Sequence, residues 1–235
     1  MVEDGKRVKL RILHTSDFHL NSPGDSACQS LESLVNAAVR SEVDLVIIAG
    51  DLFDHSKVDD ELVGFAAAQL RRMAIPTVVI AGNHDCLAPG SAFERVNLWK
   101  ECDNVIILRE PGGEILDLPK LGVSLWGKSI ESYDYDVRPL EGIPQPKGDG
   151  QWNIAVAHGY YVSSIPPSFP SYNITREEII SSGWDYIALG HIPQFRCICD
   201  EPVKAYYCGS PSLTGTFALV DLSEESGVQV ACGLL

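Results

Sequence analysis

The chain has 235 residues, 45% hydrophobic and 21% charged, and 32 Asp and Glu against 18 Lys and Arg give a formal charge of −14. Such a balance excludes a disordered, collagen-like or coiled-coil chain, and the length suffices for one α/β domain whose core needs no disulfide staples. The acidic excess counts against tight nucleic-acid binding through a basic face, although bound cations or a partner can supply positive charge.

In chain order, residues 1–9 are charged and lack an apolar signal core, and no later apolar run approaches a membrane span. With seven scattered cysteines, an odd number, this predicts a cytoplasmic protein with reduced thiols and no membrane association. Residues 8–14 alternate apolar and polar, the pattern of a strand with one polar face. Residues 26–43 place Leu31, Leu34, Val35 and Ala38 at helical spacing. Residues 44–49 carry, after Asp44, a continuous apolar run before Gly50, which predicts a strand buried on both faces. An amphipathic helix over 58–73 and a strand over 75–81 follow. This strand–helix alternation predicts parallel strands with right-handed crossovers.

The second half is richer in strands, predicted over 105–108, 114–118, 122–126, 152–157, 185–189, 203–207, 215–221 and 228–232. Thr175 with Glu178 reads as a capping box opening a helix to Ser182. Two long loops stand out, 128–150 and 159–173; the second holds Tyr160, Tyr161, Phe169 and Tyr172 beside many Ser and Pro. Loops of this length in a compact domain are often functional, and the tyrosines and Phe169 are candidates for a stacking wall or for a loop packed on itself. Cys197, Cys199 and Cys208 form either a metal clip or small buried thiols on adjacent strands; the tight spacing and missing fourth ligand favour thiols.

Five segments place metal-ligating side chains directly after a predicted strand: Asp17-Phe18-His19, Gly50-Asp51-Leu52-Phe53-Asp54, Gly82-Asn83-His84-Asp85, His158-Gly159 and Gly190-His191. In α/β sheets ligand groups gather outside the carboxyl ends of strands, so Asp17, His19, Asp51, Asn83, His158 and His191 are expected on one rim. Each element alone has a plain explanation: Asp51 or Asp54 as a helix cap, Asn83 as a turn residue, a histidine as a hydrogen-bonded core group. Five in order, each at a strand end, have none. Carboxylate, imidazole and amide donors suit Mn, Fe or Zn better than Mg. Two such cations clamp an in-line displacement at phosphorus. The glycines before Asp51, Asn83 and His191 are expected to let the backbone turn sharply.

This set resembles the calcineurin-like metallophosphoesterases over nearly the whole chain. The resemblance implies a four-layer α/β/β/α sandwich of two mixed sheets flanked by helices. It also implies two divalent metal ions, Mn first with Fe or Zn as alternatives. Asp17 and His19 would bind the first, Asp51 would bridge, and Asn83, His158 and His191 would bind the second. His84 would face the substrate phosphate as a catalytic group, and Asp54 would orient it. Residues 13–20, 50–54, 184–191, 207–211 and 217–221 extend the similarity to the framework of SbcD-type double-strand-break repair nucleases.

Two departures qualify the picture. Where the family has Gly-His-x-His, this chain has Gly190-His191-Ile192-Pro193, so the first metal lacks a ligand; Gln194 or the carbonyl of Ile192 or Pro193 is a candidate substitute. Residues 1–235 also read as a single catalytic domain with no capping domain. The expected activity is metal-dependent phosphodiester hydrolysis of the DNA-exonuclease type by a hydroxide held between two metals. A small-molecule phosphodiesterase or phosphatase and a weakened binding module are the alternatives.

Overall fold

The computed structural model describes residues 7–134, 136–148, 150–163 and 172–235. Its first half runs β1 (Leu10–Thr15), α1 (Ser26–Arg40), β2 (Leu45–Ala49), α2 (Asp60–Met73), β3 (Thr77–Ile80), α3 (Val96–Trp99) and β4 (Val105–Ile107). The second half runs β5 (Glu114–Leu118), β6 (Val123–Gly127), β7 (Trp152–His158), β8 (Tyr160–Val162), β9 (Asn173–Thr175), α4 (Arg176–Ser182), β10 (Tyr186–Gly190), β11 (Phe195–Cys199), β12 (Lys204–Cys208), β13 (Thr216–Ser223) and β14 (Gly227–Leu234).

The strands form two mixed six-stranded sheets, ordered β14-β13-β1-β2-β3-β4 and β11-β12-β10-β7-β6-β5. Strands β1 to β4 are parallel, as the strand–helix alternation predicts, and β13 and β14 add antiparallel at one edge. In the other sheet β6, β7, β10 and β12 are parallel, with antiparallel β5 and β11 at the edges.

Three apolar layers hold these parts together. Leu45, Ile47 and Ala49 of β2 face Ile154, Val156, Tyr186 and Ala188 in a core between the sheets. The alternate residues Val46 and Ile48 pack outward on Leu31, Leu34 and Val35 of α1 and on Leu62, Ala66 and Leu70 of α2. Beyond the second sheet, Ala155, Ala157, Ile187 and Leu189 meet Ile179 of α4, Trp184 and Leu140. Burying one such aliphatic side chain contributes about 1.5–3 kcal/mol, and β2 buries all five of its residues. The capping box is present at α4, with Thr175 accepting from the Glu178 amide and Glu178 from the Thr175 amide.

Besides a 3₁₀ turn at Ala92–Glu94, four short elements escape the sequence pattern: α3, β8, β9 and β11. Strands β8 and β9 pair in parallel and tie together the ends of the second long loop; Phe169 lies outside the described residues. The cysteines form no clip: Cys197 is exposed, Cys199 faces the outer core and Cys208 the core between the sheets. Among the described residues no helix is long and apolar enough to cross a membrane.

Candidate metal centre

The six expected ligands all lie at strand ends, and they come from both sheets. Asp17 and His19 follow β1, Asp51 follows β2 and Asn83 follows β3, while His158 ends β7 and His191 follows β10. The backbone there is unusual. Among the described residues, four of the six non-glycine positive-φ positions are Asp17 (57°), His19 (53°), Asp51 (53°) and His191 (100°). Each such conformation costs about 1–3 kcal/mol and persists only where surroundings impose it. Here the Asp17 and His19 amides donate to the carbonyls of Gly50 and Asp51, both at 3.1 Å. The hydroxyls of Ser210 and Ser212 hold the carbonyls of Asp17 (2.6 Å) and Phe18 (2.8 Å). The 207–211 framework segment, with the adjoining Ser212, therefore has a physical task, holding the loop that carries Asp17 and His19.

One donor group is already assembled. His158 is fully buried and its Nδ1 donates to the Ala49 carbonyl at 2.8 Å, which leaves Nε2 as the free ring nitrogen. That Nε2 lies 3.1 Å from Asp51 Oδ2, 2.9 Å from Asn83 Oδ1 and 3.3 Å from His191 Nδ1. His191 Nδ1 is in turn 2.9 Å from Asn83 Oδ1. Burial opposes a charge on His158, but Asp51's charge and hydrogen bond, with Asp17's charge, outweigh it and raise its pKa to about 9. Burial, and then His158's charge, lower His191 to about 4. The cluster calls for positive charge at one point, which a proton on His158 Nε2 meets in part and a divalent cation in full. The donor set of Asp51, His158 and His191 could hold a metal ion.

The other group is more open. His19 Nε2 lies 4.0 Å from both Asp17 Oδ1 and Asp51 Oδ2. His84 completes a second metal-capable triad with His19 and Asp51, its ring edge-on to His19 at 4.7 Å. Asp54 serves both histidines: its carboxylate is 3.3 Å from His19 Nδ1, and its carbonyl accepts from His84 Nδ1 at 3.0 Å. The expected orientation of His84 by Asp54 thus runs chiefly through the main chain, the carboxylate being 3.8 Å from the ring nitrogen. Of the substitutes for the missing histidine, Gln194 is exposed and the Ile192 carbonyl accepts from the Gln194 amide at 2.8 Å.

The glycines act differently from expectation. Gly50 does turn the chain, at φ +92°. Gly82 and Gly190 are not at positive φ; they leave space, since a Cβ would meet Asp51 Oδ1 at 2.1 Å and the Ala49 carbonyl at 1.9 Å respectively.

Sequence reasoning gave Asp85 no task, yet its buried carboxylate accepts from the amides of Gly82 (2.7 Å), Phe53 (3.1 Å) and Asp51 (3.3 Å). It ties the β2 and β3 ligand loops together. Asp85→Asn puts an amide donor against one of these N–H groups. It should destabilise the protein by about 1–3 kcal/mol, the usual cost of an unsatisfied buried polar group. Denaturant unfolding of cation-free protein measures this, and an unchanged midpoint refutes the tie.

In the long loop, Tyr160 is 44% exposed and its ring stands 6.3 Å from that of His191. Tyr172 is buried, also 6.3 Å from His191. Tyr161 packs on the outer core and donates its amide to the Tyr207 hydroxyl at 2.8 Å. Of these three, Tyr160 alone presents a half-open ring beside the donors, so the loop divides into one candidate stacking residue and two packed ones.

A sandwich of two mixed sheets with carboxylates, imidazoles and an amide gathered at its strand ends defines a metallophosphoesterase. The family model described as calcineurin-like phosphoesterase matches residues 10–195, and the chain belongs to that family. It is 30% identical to the uncharacterized metallophosphoesterase YhaO of Bacillus subtilis over 86% of this chain and 53% of that protein. It is 27% identical to the DNA double-strand break repair protein Mre11 of Sulfurisphaera tokodaii over 78% of this chain and 49% of that one. The chain thus spans about half the length of these curated relatives. The crystal structure of TT1561 of Thermus thermophilus shares the fold, with a TM-score of 0.65 at 12% identity, covering 97% of this chain and 99% of that one.

Proposed function

We propose that the chain is a two-cation phosphodiesterase with Mn as its preferred metal and nucleic acid as its first candidate substrate. Asp17, His19 and Asp51 hold one cation; Asp51, Asn83, His158 and His191 hold the other. The observation that carries this reading is the convergence of three other ligand atoms on His158 Nε2 at 2.9–3.3 Å, with Nδ1 committed to a carbonyl. When bound, divalent cations supply charge against the phosphoryl oxygens and an activated water at neutral pH. The protein's own part is positional. Asp54 fixes the His84 ring through Nδ1, so Nε2 is the atom that hands a proton to the leaving oxygen. Tyr160 offers its face to a base or aryl group.

The nuclease version draws support from the Mre11 relatives and the 207–211 framework. The formal charge of −14 favours a small phosphodiester instead, because each phosphate of a long polymer must then be neutralised by bound cations. The experiment is a Mn titration against bis(p-nitrophenyl) phosphate, p-nitrophenyl phosphate, cyclic nucleotides and single- and double-stranded DNA. Faster diester than monoester cleavage, dependent on Mn, is the expected result. Neither Mn binding nor diester cleavage would overturn the reading, and Mn binding without cleavage would make the fold a binding module.

Two further outcomes are expected. Tyr160→Ala should raise the Michaelis constant for base- or aryl-bearing substrates by the equivalent of about 1–3 kcal/mol. Tyr161→Ala should lower the melting temperature and leave that constant alone; equal constants for wild type and Tyr160→Ala remove the stacking role. The 2.9–3.3 Å cluster is tighter than the 4.0 Å one, so the second site should fill first. Pro193→His should tighten the first site, provided the loop tolerates losing the fixed φ of proline. Two stoichiometric metals that survive a weak chelator in the wild type refute the weakened first site.

A further inference from the structure

Asp17 uses its two carboxylate oxygens differently. Oδ1 faces His19 Nε2 at 4.0 Å. Oδ2 accepts from the His191 amide at 3.0 Å and from the Ser16 hydroxyl. The Ser16 oxygen also lies 3.0 Å from the sulfur of Cys208. Ser16 and Cys208 are both 0% exposed, and Cys208 ends β12 in the opposite sheet. An ionised carboxylate only accepts, so the Ser16 hydroxyl directs its single proton to Asp17 Oδ2 in a hydrogen bond. Oxygen and sulfur at that distance repel unless a proton lies between them, and the thiol is the remaining source.

We propose that Cys208 and Ser16 are positioning residues for the first cation. The thiol donates to Ser16 Oγ, which keeps the Ser16 hydroxyl donating to Asp17 Oδ2 and turns Oδ1 toward the cation. The inference rests on the cation sites proposed above. Both groups share a competing acceptor, the Gly209 carbonyl, 3.4 Å from Ser16 and 3.2 Å from Cys208, and the thiol has a more distant one in the Leu189 carbonyl at 3.9 Å. If Ser16 turns to the Gly209 carbonyl, Asp17 Oδ2 is left with the His191 amide as its donor. The latch matters most in this chain because Pro193 leaves the first cation with few protein ligands, and Asp17 must present one of them from a left-handed backbone at φ 57°. It also joins the two sheets directly beneath the site.

The test is a Mn titration of the cation-free chain followed by electron paramagnetic resonance, where the coupled pair and the single ion give different signals. Ser16→Ala and Cys208→Ala should weaken the looser site roughly 10–100-fold, the usual effect of losing a group that orients a metal ligand. The tighter site should be unaffected, which also shows that each variant is folded. Cys208→Ser should restore most of the affinity, because its hydroxyl also donates. Wild-type affinity at the looser site in Ser16→Ala or Cys208→Ala overturns the latch. So does Cys208→Ser behaving like Cys208→Ala, since packing alone would then explain the effect. Either result leaves the cation sites standing. A wild-type chain that binds no Mn pair overturns the sites themselves, and the latch with them.

Discussion

Asp51→Asn should abolish both metal retention and hydrolysis while leaving the fold intact. Asp51 is the residue common to both donor groups, with Oδ2 at 3.1 Å from His158 Nε2 and 4.0 Å from His19 Nε2. Its other oxygen accepts from the His84 amide at 2.9 Å. Asparagine keeps the volume and can keep that hydrogen bond through its amide oxygen, so the ligand loops stay in place. It removes the negative charge between the sites. Burial opposes that charge, but His158 stabilises it enough to bring the Asp51 pKa down to about 2; the carboxylate is therefore ionised wherever the enzyme works. Activity should fall about 10³-fold or more, the upper range for removing one preorganised electrostatic group. Circular dichroism and Mn content of the purified variant check the two halves of the expectation. Full activity in Asp51→Asn sinks the bridging role.

His84→Ala should separate chemistry from metal binding. The ring is 44% exposed, edge-on to His19 and held at Nδ1 by the Asp54 carbonyl at 3.0 Å. It is thus fixed in direction yet open to substrate. A positioned proton donor contributes roughly 10²–10⁴-fold in rate. His84→Ala should lose that much on substrates with poor leaving groups and much less on nitrophenyl esters, whose leaving oxygen needs no proton. Both Mn ions should remain. Loss of one cation in the variant would instead make His84 a ligand in place of the histidine that Pro193 displaces. An equal loss on good and poor leaving groups would leave it a purely electrostatic role. Asp54→Ala should show a milder form of the defect, because the carbonyl that holds His84 belongs to the main chain and survives the substitution.

The two halves of the problem were unequally legible in the chain. Local chemistry wrote the strong signals: alternation at 8–14, the apolar run before Gly50, helical spacing at 26–43, and the Thr175–Glu178 capping box. It also set each donor residue at the end of a strand, and the similarity of those motifs to a known family was enough to expect two sheets. The short elements α3, β8, β9 and β11 carried no comparable signal, because three to five residues are too few for a period to emerge. They form because partners from elsewhere in the chain offer hydrogen bonds, as the Tyr172 carbonyl does for the Tyr160 amide at 2.9 Å.

Relations between side chains distant in sequence belonged to the tertiary structure alone. Asp85 looks like the tail of a motif until three amides from two loops are seen converging on it. Gly82 and Gly190 look like turn residues, yet the space they leave is taken by Asp51 and Ala49. Asp54 divides its carboxylate and carbonyl between two histidines, a distinction that no residue type can announce. Ser16 and Cys208 lie 192 positions apart and meet only because β1 and β12 belong to sheets that stack. The sequence by itself determined that candidate donor groups would stand at strand ends, since burial period and side-chain chemistry are local properties. Which oxygen of each carboxylate points where, and which ring nitrogen stays free, depend on packing of the two sheets, and only the folded chain decides them.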